Sequence, residues 1–209
     1  MKGERTRQHI LERAIDVASL EGLEGLTIGR LADELEMSKS GLFAHFGSKE
    51  DLQLAAIEGA RQRFIDEVVR PALGAPRGYP RLMALCRQWL NYLSRGVFPG
   101  GCFFAAASFE FDDRPGPVRD AIATAMDDWL ATLEKSVRLA KEEGHLDART
   151  DPAQIVFELN SLFLGANFSS QLRHDSLALR HAQKAIEQRL ESLRVKPSRT
   201  RARARRKSA

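Results

Sequence analysis

The chain has 209 residues, of which 43% are hydrophobic and 29% are charged, as in ordinary globular proteins. Its two cysteines are too few for a disulfide framework, and its longest uncharged runs, Gly96–Phe109 and Leu159–Leu172, have 14 residues each, too few to span a bilayer. These features argue against a disulfide-stapled secreted domain and a membrane-embedded protein, and because the N-terminus also lacks an apolar signal-peptide core, we expect a cytoplasmic location with no membrane partner.

The net charge of +4 is concentrated near the C-terminus. Residues 194–207 hold eight basic residues and no acidic one, and without them the net charge is −4. Because so charged a segment of low complexity does not fold, residues 194–209 are predicted to form a disordered tail. This tail either adds salt-dependent attraction to nucleic acid or serves solubility alone.

The first predicted element is an amphipathic helix. Ile10, Ala14 and Val17 share one of its faces, and Gly22 ends it. The first fifty residues hold seven Lys and Arg against nine Asp and Glu, so bulk charge does not indicate nucleic-acid binding here. Such binding must depend on where particular residues lie.

Two short helices and the start of a third follow, each opened by a capping residue. Thr27 and Ser38 cap the two short helices, and Ser48, with Asp51 three residues later, forms a capping box for the third. Two short helices joined by a tight turn present one helix to the major groove of DNA. This segment therefore predicts a DNA-binding protein.

The same segment carries a family resemblance between Thr27 and Leu52. Thr-Ile, Leu-Ala, Met-Ser, Phe-Ala-His-Phe and Ser-Lys-Glu-Asp-Leu occur in order, and together they resemble the DNA-binding signature of the TetR family of bacterial transcriptional regulators. One departure is Glu36, where the family usually has a glycine in the turn. A left-handed conformation at this residue costs about 1 kcal/mol, which a packed domain absorbs.

The resemblance implies an all-α protein with an N-terminal three-helix helix-turn-helix domain and a larger helical ligand-binding and dimerisation domain. Lys39 is expected to reach a guanine edge or a phosphate, whereas Phe43, in a position where the family commonly has tyrosine, offers packing alone. Capping or solvation is the alternative role for Thr27, Arg30 and Ser48. The expected DNA contacts are Thr27, Arg30, Ser38, Lys39, Ser40, Gly41, Phe43, His45 and Lys49.

Helical periodicity continues through the rest of the chain. A helix from Ser48 to Pro71 is predicted to link the two domains, and a Gly- and Pro-rich break follows at Gly74–Pro80. Asp151 followed by proline predicts the start of a helix that is apolar nearly all round. The last helix, over residues 176–193, has apolar residues at heptad spacing and between, namely Leu179, Ala182, Ile186, Leu190 and Leu193.

These last two helices predict a homodimer. They could pair with their copies in a second subunit as a four-helix bundle, or both could close the core of the monomer. We favour the dimer, because two heads related by a two-fold axis read half-sites about 34–36 Å apart, or a multiple of that distance.

The stretch Phe98–Ile122 contains Cys102 after a Gly-Gly break and resembles a sub-group of TetR-like regulators with a cysteine there, some of which sense electrophiles or oxidants. A helix N-terminus beside Cys102 would lower the pKa of its thiol, and a small buried apolar residue is the alternative. Apolar and aromatic residues are also expected to line a cavity for a small-molecule effector of unknown identity. The expected sensor and ligand-binding residues are Cys102, Trp89, Tyr92, Phe103, Met126, Trp129 and Phe163.

Enzymatic motifs are absent from the sequence. The five histidines form no HExxH pair, the cysteines form no CxxC, and no phosphate-binding loop or nucleophile elbow occurs, so no metal, cofactor or catalytic residue is expected. We therefore expect a ligand- or redox-responsive repressor that binds a palindromic double-stranded DNA operator as a homodimer. Its predicted parts are a DNA-binding domain (1–50), a sensing and dimerisation domain (51–193) and the tail (194–209). The alternatives are a non-specific nucleic-acid-binding protein that uses its Arg-rich tail and, more remotely, a Cys102-dependent enzyme.

Overall fold

A computed structural model describes residues 2–195, and the basic segment beyond them, with most of the predicted tail, lies outside the described residues. The helices are α1 (Lys2–Gly25), α2 (Ile28–Glu34), α3 (Lys39–Phe46), α4 (Lys49–Phe64), α5 (Arg70–Ala72), α6 (Tyr79–Ser94), α7 (Phe103–Phe111), α8 (Pro117–Glu142), α9 (Pro152–Gln171) and α10 (Ala178–Ser192). None of the helices within residues 2–195 is long and apolar enough to cross a membrane. The predicted all-α fold, with a three-helix N-terminal domain and a larger helical domain, is confirmed.

The N-terminal domain packs α1, α2, α3 and the start of α4 around one apolar core. Leu31 of α2 and Leu42 of α3 are fully buried in it. The turn between these helices places Glu36 at a φ of +52°, the left-handed conformation expected at this position. The burial of the flanking helices holds this residue in a conformation that L-amino acids seldom adopt.

The helix that begins in the N-terminal domain continues deep into the larger one. After α4 comes a π-helical turn, Ile65–Val69, and this continuous helical segment ends with the short helix α5. Pro71 has no amide hydrogen, so it cannot continue the regular α-helical ladder. The resulting change of pitch is of the kind that often occurs beside functional sites, and it brings Ile65 and Val69 to a cavity described below.

The N-terminal domain also contacts α7 at a break in α1. Gly22 has a φ of +82°, and the carboxylate of Glu110 accepts hydrogen bonds from the backbone N–H groups of Leu23 and Glu24, both at 2.8 Å. A Cβ atom at Gly22 would lie 2.8 Å from this carboxylate. The contact therefore requires glycine at the break.

The larger domain surrounds a core built mainly by α6, α8, α9 and α10. The apolar residues at heptad spacing in α10 face this core, and Ile186 and Leu190 are at most 1% exposed. Our expectation that they pair with a second subunit is therefore wrong for Ile186 and Leu190, because α9 and α6 already cover them. Instead, an apolar stripe on α9 stays exposed and contains Phe157, Phe168 and, just after the helix, Leu172.

Candidate nucleic-acid interface and ligand cavity

The start of α3 lies open at the surface. The hydroxyl oxygen of Ser38 accepts the N–H of Gly41 at 3.1 Å and so caps the helix, as predicted. Ser38, Lys39 and Ser40 are exposed, whereas Leu42 and Phe46 point into the core. This end of α3 offers free backbone N–H groups and the positive end of the helix dipole, which together suit an approaching phosphate.

Lys39 lies next to the start of α2. Its ammonium nitrogen is 3.6 Å from the point where a Cβ atom would stand on Gly29, and Thr27 Oγ1 is 3.9 Å from the same point. Thr27 caps α2 by accepting the N–H of Arg30 at 3.0 Å. The fold thus brings Thr27 and Lys39 together on one surface, although they are distant in the sequence. Gly29, which sequence reasoning missed, lies beside the lysine on this surface.

Two of the expected DNA contacts are already held by acidic side chains. The guanidinium of Arg30 donates to Glu21 at 2.6 Å and to Glu34 at 3.0 Å, and these bonds raise its pKa. The ammonium of Lys49 donates to Glu24 at 2.8 Å, which lowers the pKa of that carboxyl group. Both cations must leave or share these partners to reach a phosphate.

The remaining candidates on α3 are a large exposed ring and a half-buried histidine. Phe43 is 55% exposed, and its neighbour Ala44 is exposed as well. His45 is half-buried, with its ring centroid 6.5 Å from that of Phe46. Phe43 therefore extends the surface formed by the start of α3, and His45 borders the core.

A cavity of about 420 Å³ lies inside the larger domain between α4, α6, α7, α8 and α9. Phe64 meets Trp129 edge-on at 5.1 Å, and Trp89 stacks on Phe163 at 4.5 Å. Other apolar lining residues are Ile65, Val69, Cys102, Phe104, Ala105, Ala125, Met126, Ala131 and Leu164. Five of the seven predicted sensor and ligand-binding residues line this space, namely Trp89, Cys102, Met126, Trp129 and Phe163.

Two predicted lining residues lie behind the cavity wall. The ring of Tyr92 packs edge-on against Phe98 at 5.7 Å, and the ring of Phe103 lies 5.6 Å from Phe98. Both are buried and neither lines the cavity, which corrects our expectation for these two residues. They fill the core on the far side of the wall instead.

The cavity also has a polar edge that sequence reasoning missed. Arg61 of α4 donates to Asp128 of α8 at 2.7 Å, and Lys135, Thr132 and Asn160 complete this edge. These residues come from α4, α8 and α9, and no motif links them in the sequence. The apolar residues around them in the sequence predict buried helices but no polar site.

Cys102 stands at the N-cap of α7, next to the helix N-terminus as expected. Burial nevertheless raises the pKa of its thiol and outweighs the backbone N–H groups of Ala105 and Phe104 and the hydroxyl of Tyr92, all of which lower it. The expected lowering of this pKa is therefore wrong. Cys102 remains on the cavity wall as a neutral thiol at neutral pH.

Two family models match the chain. The model described as "Bacterial regulatory proteins, tetR family" matches residues 10–56, and the one described as "Tetracyclin repressor-like, C-terminal domain" matches residues 78–186. The first covers the three-helix segment with the exposed end of α3. The second covers most of the helices that surround the cavity.

Similar proteins agree with these matches. The repressor NemR of Escherichia coli (strain K12) is 25% identical over 180 residues, which cover 85% of this chain and 89% of NemR. A TetR transcriptional regulator from Chloroflexus aurantiacus J-10-FL has the same fold, with a TM-score of 0.87 and 22% identity over 93% of this chain and 99% of that one. AibR, solved in complex with isovaleryl coenzyme A and operator DNA, matches with a TM-score of 0.67 and 22% identity over 90% of this chain and 97% of its own.

Proposed function

The chain belongs to the TetR family of bacterial regulators, and from this premise we propose that it is a homodimeric repressor that occupies a two-fold symmetric operator and leaves it when its cavity is filled or Cys102 is modified. In this proposal residues 1–50 read DNA in the cytoplasm, and residues 51–193 sense the signal and dimerise. The observation that carries it is the exposed first turn of α3, beside which Lys39 and Thr27 meet on one surface.

The proposed route from the cavity to the N-terminal domain follows two helices. α4 begins beside α3 and reaches the cavity with Arg61 and Phe64. α7 follows its N-cap residue Cys102 on the cavity wall and holds α1 through Glu110. A ligand that shifts either helix changes the spacing of the two heads. Reducing operator occupancy tenfold requires the ligand to favour the released state by about 1.4 kcal/mol.

The structure of AibR supports this reading by analogy, because that protein was solved with both an acyl coenzyme A and operator DNA. For our protein, the dimer is proposed to form over the exposed apolar stripe of α9. Two copies related by a two-fold axis place two α3 helices in successive major grooves.

The test of this function begins with selection of bound sequences from a random DNA pool by the purified protein, followed by titration of the selected duplex. The Lys39→Ala variant should weaken specific binding about 10- to 100-fold, because one base or phosphate contact is lost. Arg87→Ala, which removes an exposed cation from α6 in the larger domain, is the matched control and should bind as the parent does. Selection of no sequence, or equal binding by Lys39→Ala, contradicts the proposal.

A further inference from the structure

The charges of the side chains that line the cavity do not cancel. Arg61 and Asp128 neutralise each other at 2.7 Å, and Glu58, outside the lining, contacts Arg61 at 3.4 Å. Lys135 also borders the cavity, but it makes no hydrogen bond or ion pair with another of the described residues. The three charged residues of the lining therefore carry a net charge of +1.

A second free donor lies at the same edge. The side-chain amide of Asn160 on α9 has no hydrogen-bond partner among the described residues, although it also lines the cavity. Thr132, which also lines the cavity, donates its hydroxyl hydrogen to the Asp128 carbonyl at 2.8 Å and keeps its oxygen lone pairs. An ammonium group and an amide N–H that both lack acceptors suit a carboxylate, which accepts several hydrogen bonds.

The rest of the cavity suits a ring system. Its walls are the faces and edges of Phe64, Trp89, Phe104, Trp129 and Phe163, which favour edge-to-face and offset-stacked contacts with a further ring. Nothing in this inner wall is charged. A ligand must therefore place an apolar body inside and its charge at the edge.

From this arrangement we propose that the effector is an aromatic carboxylate, a monoanion whose rings fill the cavity while its carboxylate binds Lys135 and Asn160. This inference rests on the proposed function, because it names the chemical class of the effector. It also assigns opposite roles to two charges: Lys135 attracts the ligand, and Asp128 weakens binding by holding Arg61.

The chain provides its own reporter for a binding test. Its two tryptophans, Trp89 and Trp129, both line the cavity, so intrinsic fluorescence reports on what enters. The probes are biphenyl-4-carboxylate and biphenyl-4-carboxamide, which share a shape and differ in charge. Calorimetry on the same full-length samples gives the dissociation constants independently.

The carboxylate should bind about fivefold more tightly than the amide, because an ion pair with the exposed Lys135 distinguishes them. Lys135→Met should remove this difference and leave amide binding unchanged, since methionine keeps the apolar stem. Asp128→Asn should increase affinity for the carboxylate alone. The matched control, Arg138→Met, removes an exposed cation from the same helix outside the cavity and should change neither constant.

Equal affinity for the two probes, a difference that survives Lys135→Met, or the absence of binding by either probe overturns the inference. Titration of the selected DNA duplex without any probe tests the proposed function independently of the effector class. If specific DNA binding is present and the probes bind equally, the effector class alone is wrong. If the carboxylate binds as expected and no DNA sequence is selected, the regulator proposal fails and the site stands.

Discussion

Lys39 and Arg30 show how strongly the immediate neighbours of a charged side chain decide its availability. Lys39 is exposed, and its ammonium lies over a glycine. Arg30 is held between Glu21 and Glu34, whose hydrogen bonds stabilise its charged form. Moving Arg30 to a phosphate would break these contacts, so in the proposed DNA complex we expect Arg30 to contribute less than a free arginine would.

Cys102 gives a second example at the scale of one residue. Helix N-termini usually make a thiol more acidic, but burial favours the neutral thiol and wins here. Reactivity follows the thiolate, so a raised pKa leaves less of the nucleophile at every pH below it. The thiol is therefore protected by its surroundings until the cavity opens or the pH rises.

We predict that iodoacetamide alkylates Cys102 more slowly at pH 7.5 than it alkylates a free exposed cysteine. The rate should increase about tenfold per pH unit until the pH passes the raised pKa. Mass spectrometry of a Cys86→Ser variant isolates this reaction, since Cys86 is the only other cysteine. The same variant unfolded in urea should react at the free-cysteine rate. A rate that levels off below pH 8 in the folded protein contradicts the raised pKa.

At the scale of elements, α7 is a short connection between the cavity and the N-terminal domain. Its first residues line the cavity. Near its other end, the Glu110 carboxylate accepts the backbone N–H groups of Leu23 and Glu24, which follow the break in α1. The helix α4 contacts the same turn, because the side-chain amide of Gln53 donates to the carbonyl of Leu23 at 2.6 Å. Thus α4 and α7, which both line the cavity, hold the same turn of α1.

Glu110→Ala should destabilise this turn. Leu23 N–H is partly buried and loses its acceptor, so we expect a loss of about 1–3 kcal/mol in the free energy of unfolding. Amide exchange at Leu23 and Glu24 should accelerate, while the Arg30 amide, which donates to Thr27, keeps its rate.

The matched control for this variant is Glu134→Ala, which removes an α8 glutamate that pairs with Arg138 at the surface. Surface pairs of this kind contribute about 0–1 kcal/mol, so its unfolding curve should shift little. Unchanged exchange at Leu23 in Glu110→Ala means that α7 does not hold α1.

At the scale of the whole molecule, the exposed apolar stripe of α9 is the surface on which we expect a partner to bind. Phe157 is 70% exposed and Phe168 is 55% exposed, and both lie on one face of α9. Exposed aromatic side chains that recur on one helix face are typical of an interaction surface. In the function that we propose, a second copy of the chain covers this face, because operator binding requires two-fold pairing.

Replacing both Phe157 and Phe168 with glutamate should therefore yield a monomer, because like charges would meet across the two-fold axis. Sedimentation velocity measures the mass, and titration of the selected duplex should show a large loss of affinity. Phe109→Glu changes an equally exposed phenylalanine on α7, 69% exposed, and should leave the dimer and its DNA binding intact. A dimeric double variant places the interface elsewhere.

Local features of the chain were predictable from the sequence alone. The caps at Thr27, Ser38 and Asp151 involve residues two or three positions apart, so their geometry follows from short-range hydrogen bonding. The left-handed turn at Glu36 and the all-α fold follow in the same way from local pattern and from the family signature. The aromatic wall of the cavity was predicted in large part because such residues are apolar and recur at helical spacing.

Relations between distant segments were decided only by the tertiary structure. Periodicity identifies an apolar face but not the surface that covers it, so it could not assign the heptad-spaced residues of α10 to the monomer's own core. Periodicity also could not predict the ion pair between Arg61 and Asp128, which are 67 positions apart. It could not predict that Lys135 borders a cavity lined by aromatic rings either. Burial likewise reversed the pKa expected for Cys102. Short-range hydrogen bonding is encoded within a few residues, whereas desolvation and the pairing of charges depend on which helices the fold brings together.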